Sequence, residues 1–253
     1  MRRIILILVL FLLPALSWAD EFVLVKGKGI PVCEAHLKNL KSLAINEMVC
    51  WSGRYPEANG ITRPKWEQLD LRKNKELLRK IKKFFIYGDQ FAKDKALDNE
   101  KGFEMLIEHC LGCARFRGGQ LQKSDCSKEF PAQYALYITK ADIDNDGTAE
   151  KILLFREQIC MLSGAYSRPL LVLDEEKDLI DVKQTEPLLD PLKKYTDIKV
   201  KTSLNYKLYD VFFYKNKAYF DRWDVDDWTL TVYHLSKNRV KEVCKYYLKE
   251  EKL

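Results

Sequence analysis

Histidine is scarce in this chain, with three residues (His36, His109 and His234) among 253. None stands in a nucleophile motif. The Gly-Xaa-Ser-Xaa-Gly elbow and the phosphate-binding glycine loop are also missing, which excludes the chemistry those motifs carry. After the first twenty residues there is no second long apolar run, so no later membrane-spanning segment is expected. No repeat of solenoid or propeller length occurs, and no low-complexity linker marks a domain boundary. Excess charge is missing too. Lys and Arg total 43 against 37 Asp and Glu, a formal net charge of +6. That is too mild to imply nucleic acid as a partner without a concentrated basic face. What is present excludes wholesale disorder: 47% of residues are hydrophobic and 12% aromatic, enough for a real core in one large domain.

The chain opens on a leader. Arg2 and Arg3 give a positive start, Ile4–Leu13 is unbroken apolar sequence, and Pro14 ends it. Ser17 and Ala19 are small residues three and one before a cut at Asp20. Residues 1–19 are expected to be a secretory signal peptide, and residues 20–253 a single exported domain, periplasmic or secreted. All seven cysteines follow the leader, and in an oxidising compartment they read as disulfide partners with one thiol left over. Proximity favours Cys33 with Cys50, and elimination leaves Cys160 with Cys244. Cys110, Cys113 and Cys126 then share one bridge. Cys110-Leu-Gly-Cys113 has the spacing of a thiol–disulfide motif, but it follows a helix instead of opening one, where the dipole would favour a thiolate. A periplasmic thiol–disulfide partner is therefore an alternative function, and a structural role is the default. His109 and Cys126 could add zinc ligands, although the second paired knuckle is missing. Haem attachment is excluded by Ala114.

The expected fold class is α+β, with a helical N-terminal half (20–126) followed by a mainly antiparallel sheet (134–250). Glu34–Glu47 and Leu69–Phe85 carry apolar residues at helical spacing. The second has a basic opposite face, with Arg72, Lys73, Lys75, Arg79, Lys80, Lys82 and Lys83, suited to solvent or to an anionic surface. Tyr134–Thr139, Lys151–Arg156 and Leu170–Leu173 are short aliphatic and aromatic runs. Leu208–Tyr214 and Ala218–Trp223 flank a tight turn at Lys215-Asn216-Lys217, and Thr229–Leu235 and Val240–Leu248 flank Ser236–Arg239.

One constellation carries chemistry. Residues 142–150 read Asp-Ile-Asp-Asn-Asp-Gly-Thr-Ala-Glu. Asp142, Asp144, Asp146 and Glu150 stand at positions 1, 3, 5 and 9, Gly147 permits the reversal, and the Thr148 carbonyl is a fifth oxygen. Alternate carboxylates on a tight turn converge, and four acids so close repel unless water or a cation screens them. A flexible, all-oxygen set suits calcium. Leu153 stands where an EF-hand needs its bidentate Glu, and the flanks read as strands. The loop resembles the Asp-rich hairpin loops of FG-GAP and integrin-type blades, which bind calcium between two strands. That resemblance covers the loop alone.

A wider resemblance rests on Pro31-Val-Cys33-Glu-Ala35 with Leu37 and Leu40, on Cys50, and on Arg63-Pro-Lys-Trp66 with Leu69-Asp70. Tyr219-Phe-Asp-Arg-Trp223, Leu230-Thr-Val-Tyr233 and Val243-Cys244 extend it. With these the chain resembles uncharacterised secreted or periplasmic proteins of Proteobacteria, which implies export and bridged cysteines but brings no activity. The expected function is a binding or structural module, not an enzyme, acting on an exported or envelope partner, with calcium stiffening one hairpin. The C-terminal aromatics (Tyr206, Tyr209, Phe212, Phe213, Tyr214, Tyr219, Phe220, Trp223 and Trp228) would form core or a recognition surface. A carboxylate hydrolase using Asp221, Asp224, Asp226 or Asp227 is the enzymatic alternative.

Overall fold

The computed structural model describes residues 21–42, 57–84, 100–110, 114–117, 120–123, 134–157, 167–174, 179–189, 207–224, 227–236 and 239–249. The leader, Cys50, Cys113, Cys126, Cys160, Tyr206 and Asp226 lie outside them. About half of the described residues are in strands and about a quarter in helices. The expected helical N-terminal half is therefore wrong: strands run through the whole chain. In order the elements are β1 (Glu21–Lys26), α1 (Pro31–Leu40), β2 (Ile61–Thr62), β3 (Glu67–Leu69), α2 (Lys75–Phe84), α3 (Glu100–Cys110), β4 (Ala114–Arg117) and β5 (Gln120–Lys123). There follow β6 (Tyr134–Ala141), β7 (Glu150–Glu157), β8 (Ser167–Arg168), β9 (Leu170–Asp174), β10 (Leu179–Ile180), α4 (Val182–Leu189), β11 (Lys207–Tyr214), β12 (Lys217–Asp224), β13 (Thr229–Ser236) and β14 (Arg239–Lys249).

Three of the N-terminal strands, β2 and β3 being only two and three residues long, are recruited by distant partners. β1 lies against β14, β2 against β11, and β3 against β6, all antiparallel. Strands of two or three residues carry too little periodicity to show in sequence, so tertiary pairing decides them. β4 and β5 form a separate hairpin. In the large sheet the order is β1-β14-β13-β12-β11-β8-β7-β6-β3, with β9 beside β7 and β10 beside β9. A two-residue parallel contact between β8 and β11 joins the two antiparallel halves. Lys215 and Asn216 both have positive φ (50° and 61°), the backbone that a two-residue hairpin turn requires.

Alternation along β11, β12 and β13 feeds two cores. Val211, Phe220 and Tyr233 pack with Leu136, Ile152, Phe155 and Leu171 and with Leu78, Phe103 and Leu188 of the helices. Phe212, Tyr219 and Val232 point the other way, into a core shared with Phe22, Val32, Leu40 and Tyr246. Both faces are thus buried, which is why these strands read as continuous apolar runs. Each fully buried aromatic contributes roughly 2–3 kcal/mol of transfer free energy. Tyr209, Phe212, Tyr219, Phe220 and Trp223 are core, and Phe213, Tyr214 and Trp228 are half-buried.

α1 starts with Pro31 at its first turn, where a missing N–H costs nothing. Its buried face is bolted to the sheet by a disulfide between Cys33 and Cys244, 211 residues apart. This replaces both expected pairings, Cys33 with Cys50 and Cys160 with Cys244. Nearness in sequence misled because the helix lies over the far end of the chain. The Tyr246 hydroxyl also donates to the Cys33 carbonyl at 2.9 Å. Gly27 packs on this bond: a Cβ there would stand 2.6 Å from Cys33 Sγ, and its φ of +96° suits glycine.

Lys75 and Arg79 of α2, and Arg72 in the turn before it, have acidic partners on α3. Glu100, Glu104 and Glu108 recur every four residues along α3, and Arg79, Lys75 and Arg72 reach them at 2.7, 2.9 and 3.2 Å. The two spacings run in opposite directions, so the charge pattern selects the antiparallel arrangement.

Candidate metal centre

β6 and β7 pair in full register from Tyr134–Glu157 to Ala141–Glu150, so their ends must be joined by residues 142–149. Ile143 anchors that connection in the core. Positive φ at Asn145 (59°) and Gly147 (98°) turns the backbone, the first tolerated by Asn and the second suited to Gly. The carboxylates organise the turn. Asp142 accepts the N–H of Asp146 at 2.9 Å and that of Gly147 at 3.0 Å. Asp144 accepts from Asp146 at 3.1 Å, Asp146 from Thr148 at 2.7 Å, and Glu150 from Ile143 at 2.9 Å.

Four of the five expected ligands therefore come together. One carboxylate oxygen from each of Asp142, Asp144, Asp146 and Glu150 lies within 4.8 Å of the others, an arrangement that can hold a metal ion. Thr148 lies between Asp146 and Glu150, exposed, in the same loop. Asp144 is buried, Asp142 and Glu150 half-buried, and Asp146 exposed. Burial raises the Asp144 carboxyl above its ordinary range, and the neighbouring Asp146 and Asp142 add to this. Glu150 is raised by burial first, then by Asp144 and Asp142. Among the described residues, no Lys or Arg side chain forms an ion pair with any of the four. Leu153 is buried in β7, and strands flank the loop on both sides, so the geometry is that of a hairpin and not of an EF-hand.

Of the enzymatic candidates, Asp221, Asp224 and Asp227 lie among the described residues. Asp221 and Asp224 are three apart on β12 and so project from opposite faces of the sheet. Asp221 bonds His36 at 3.3 Å, Asp224 bonds Arg222 at 2.9 Å, and Asp227 is exposed. Asp221 instead stands directly across from Asp210, which Arg63 bridges. At the Cys-Leu-Gly-Cys segment the backbone puts Cys110 at the carbonyl end of α3, where the helix dipole disfavours a thiolate. No helix among the described residues is long and apolar enough to cross a membrane.

Sequence reasoning passed over Asn145. Its Oδ1 accepts the Ala218 N–H at 2.8 Å, and its Nδ2 donates to the carbonyls of Leu235 at 2.9 Å and Ala218 at 3.2 Å. The one available signal was an Asn just before Asp-Gly, a residue that enters left-handed backbone readily. Comparison with protein-family models, curated proteins and solved structures finds no match.

Proposed function

We propose that the protein is an exported binding or structural module, periplasmic or secreted, whose β6–β7 hairpin loop holds one calcium ion through Asp142, Asp144, Asp146, Glu150 and the Thr148 carbonyl. The carrying observation is the convergence of four carboxylates that have backbone N–H donors but, among the described residues, no Lys or Arg ion-pair partner. Oxygens bound to one calcium at about 2.3–2.6 Å can stand up to about 5 Å apart. The 4.8 Å span fits that sphere. Magnesium, at about 2.0–2.1 Å, would need the set drawn in to roughly 4 Å. Calcium supplies the missing positive charge and fixes the turn that joins β6 to β7. Export is supported by the leader-like N-terminus and by the buried Cys33–Cys244 disulfide, a bond typical of oxidising compartments. The role is then to present a rigid, disulfide- and calcium-braced surface to an exported or envelope partner.

Calorimetric titration of demetallated mature protein with calcium and separately with magnesium tests the reading. One calcium per chain, with magnesium much weaker, is the expected result. No heat with calcium at millimolar concentration overturns it. Intact mass from the native host should show a chain beginning at Asp20.

A further inference from the structure

We propose that Asn145 is a clasp through which occupation of the Asp-rich loop tightens the open end of the β12–β13 ladder. This rests on the reading that the loop binds calcium. The β12–β13 pairing ends at Phe220–Tyr233. Two residues further in the same register, Ala218 would face Leu235, and the Asn145 carboxamide sits between them. It accepts from the Ala218 N–H and donates to the Ala218 and Leu235 carbonyls, as a residue of an intervening strand would. A carboxamide is the one uncharged side chain group that can both accept and doubly donate here.

Asn145 stands between two of the metal ligands, Asp144 and Asp146. A cation that holds both carboxylates fixes the backbone on either side of Asn145, and with it the direction of the carboxamide. β12 and β13 then gain a partner that is held in place instead of one that must be ordered for each encounter. Linkage makes the effect reciprocal: whatever factor the cation adds to the clasp, the clasp adds to cation affinity. Asn145 ligates nothing, so its role is positioning.

Amide exchange at Ala218, read with calcium titration, tests this with the full mature protein. Saturating calcium should slow Ala218 exchange about tenfold in the wild type, the scale of one or two net hydrogen bonds. Asn145→Gly keeps the positive φ but removes the carboxamide, and should weaken calcium binding about tenfold. Asn145→Asp keeps the acceptor, loses both donors, and should show the same uncoupling of Ala218 from calcium. If calcium binds the wild type and Ala218 exchange does not change, the clasp is a static tether and the inference fails while the calcium reading stands. Unchanged calcium affinity in Asn145→Gly has the same consequence. Absence of calcium binding in the wild type sinks both.

Discussion

The sheet face beneath α1 and the loop between β6 and β7 both crowd carboxylates together, and they settle the charge in opposite ways. On the sheet, Asp210 and Asp221 are direct cross-strand neighbours, and both are buried. Each has a partner from the same chain, Arg63 for Asp210 and His36 for Asp221. Phe212 and Tyr246 flank the His36 ring at 4.9 and 5.4 Å, which holds it in place. Among the described residues, the acids of the loop meet backbone N–H groups and no Lys or Arg, and burial raises Asp144 and Glu150. Each acid on the sheet has a side-chain partner within the chain, the Arg63 guanidinium for Asp210 and a hydrogen bond to His36 for Asp221, so removing that partner must cost stability. Among the described residues the acids of the loop have no Lys or Arg partner, and Asp144 shares its one backbone donor, the Asp146 N–H, with Asp142, so removing Asp144 should cost little until an external cation arrives.

The largest expected effect is on the sheet side. Arg63→Met removes the guanidinium that pairs with the buried Asp210, and should lower unfolding free energy by about 3–5 kcal/mol in urea titration. The double variant with Asp210→Leu should recover most of that loss. If the single variant unfolds like the wild type, the internal balance is not what holds this face. Next comes the tether over it. Replacing Cys33 and Cys244 together with Ala should cost on the order of 3 kcal/mol, because the bridge closes a long loop, while calcium affinity stays unchanged. A large fall in affinity would mean that the two regions are not separate.

Smaller effects belong to the loop. Without calcium, Asp144→Asn should be neutral or stabilise by up to about 1 kcal/mol, opposite in sign to the Arg63 variant, since it removes a buried, repelled charge. The pH dependence follows. Asp144 and Glu150 are raised in the folded state from ordinary values of 3.8 and 4.5. The folded protein therefore takes up these protons before the unfolded chain does. Calcium-free stability should rise as pH falls through the raised values toward the ordinary ones, and be lost as pH climbs back. The advantage of Asp144→Asn over wild type in calcium-free melting curves should thus shrink on acidification; a gap that widens would contradict the shift.

The sheet around the loop was legible in advance because its signals are local. The aliphatic and aromatic runs of β6 and β7, the Lys215–Asn216 turn, and the spacing of Asp142, Asp144, Asp146 and Glu150 are each signals confined to a few neighbouring residues. What sequence missed is non-local. β1 to β3 exist only through partners as far away as β14, Cys33 pairs across 211 residues, and Asp210 meets Asp221 by register. Asn145 shows the same limit on a small scale. Its neighbours announce a turn, but its partners are Ala218 and Leu235, more than seventy residues on.

Thermal melting of wild type and Asp144→Ala, each with excess chelator and with millimolar calcium, tests most directly whether the loop awaits an external cation. At a free concentration one hundred times the dissociation constant, calcium should stabilise the wild type by about 2.7 kcal/mol. The variant should melt close to the calcium-free wild type in both conditions. A wild-type melting temperature that calcium does not move would mean that the loop is a turn whose acids need only water.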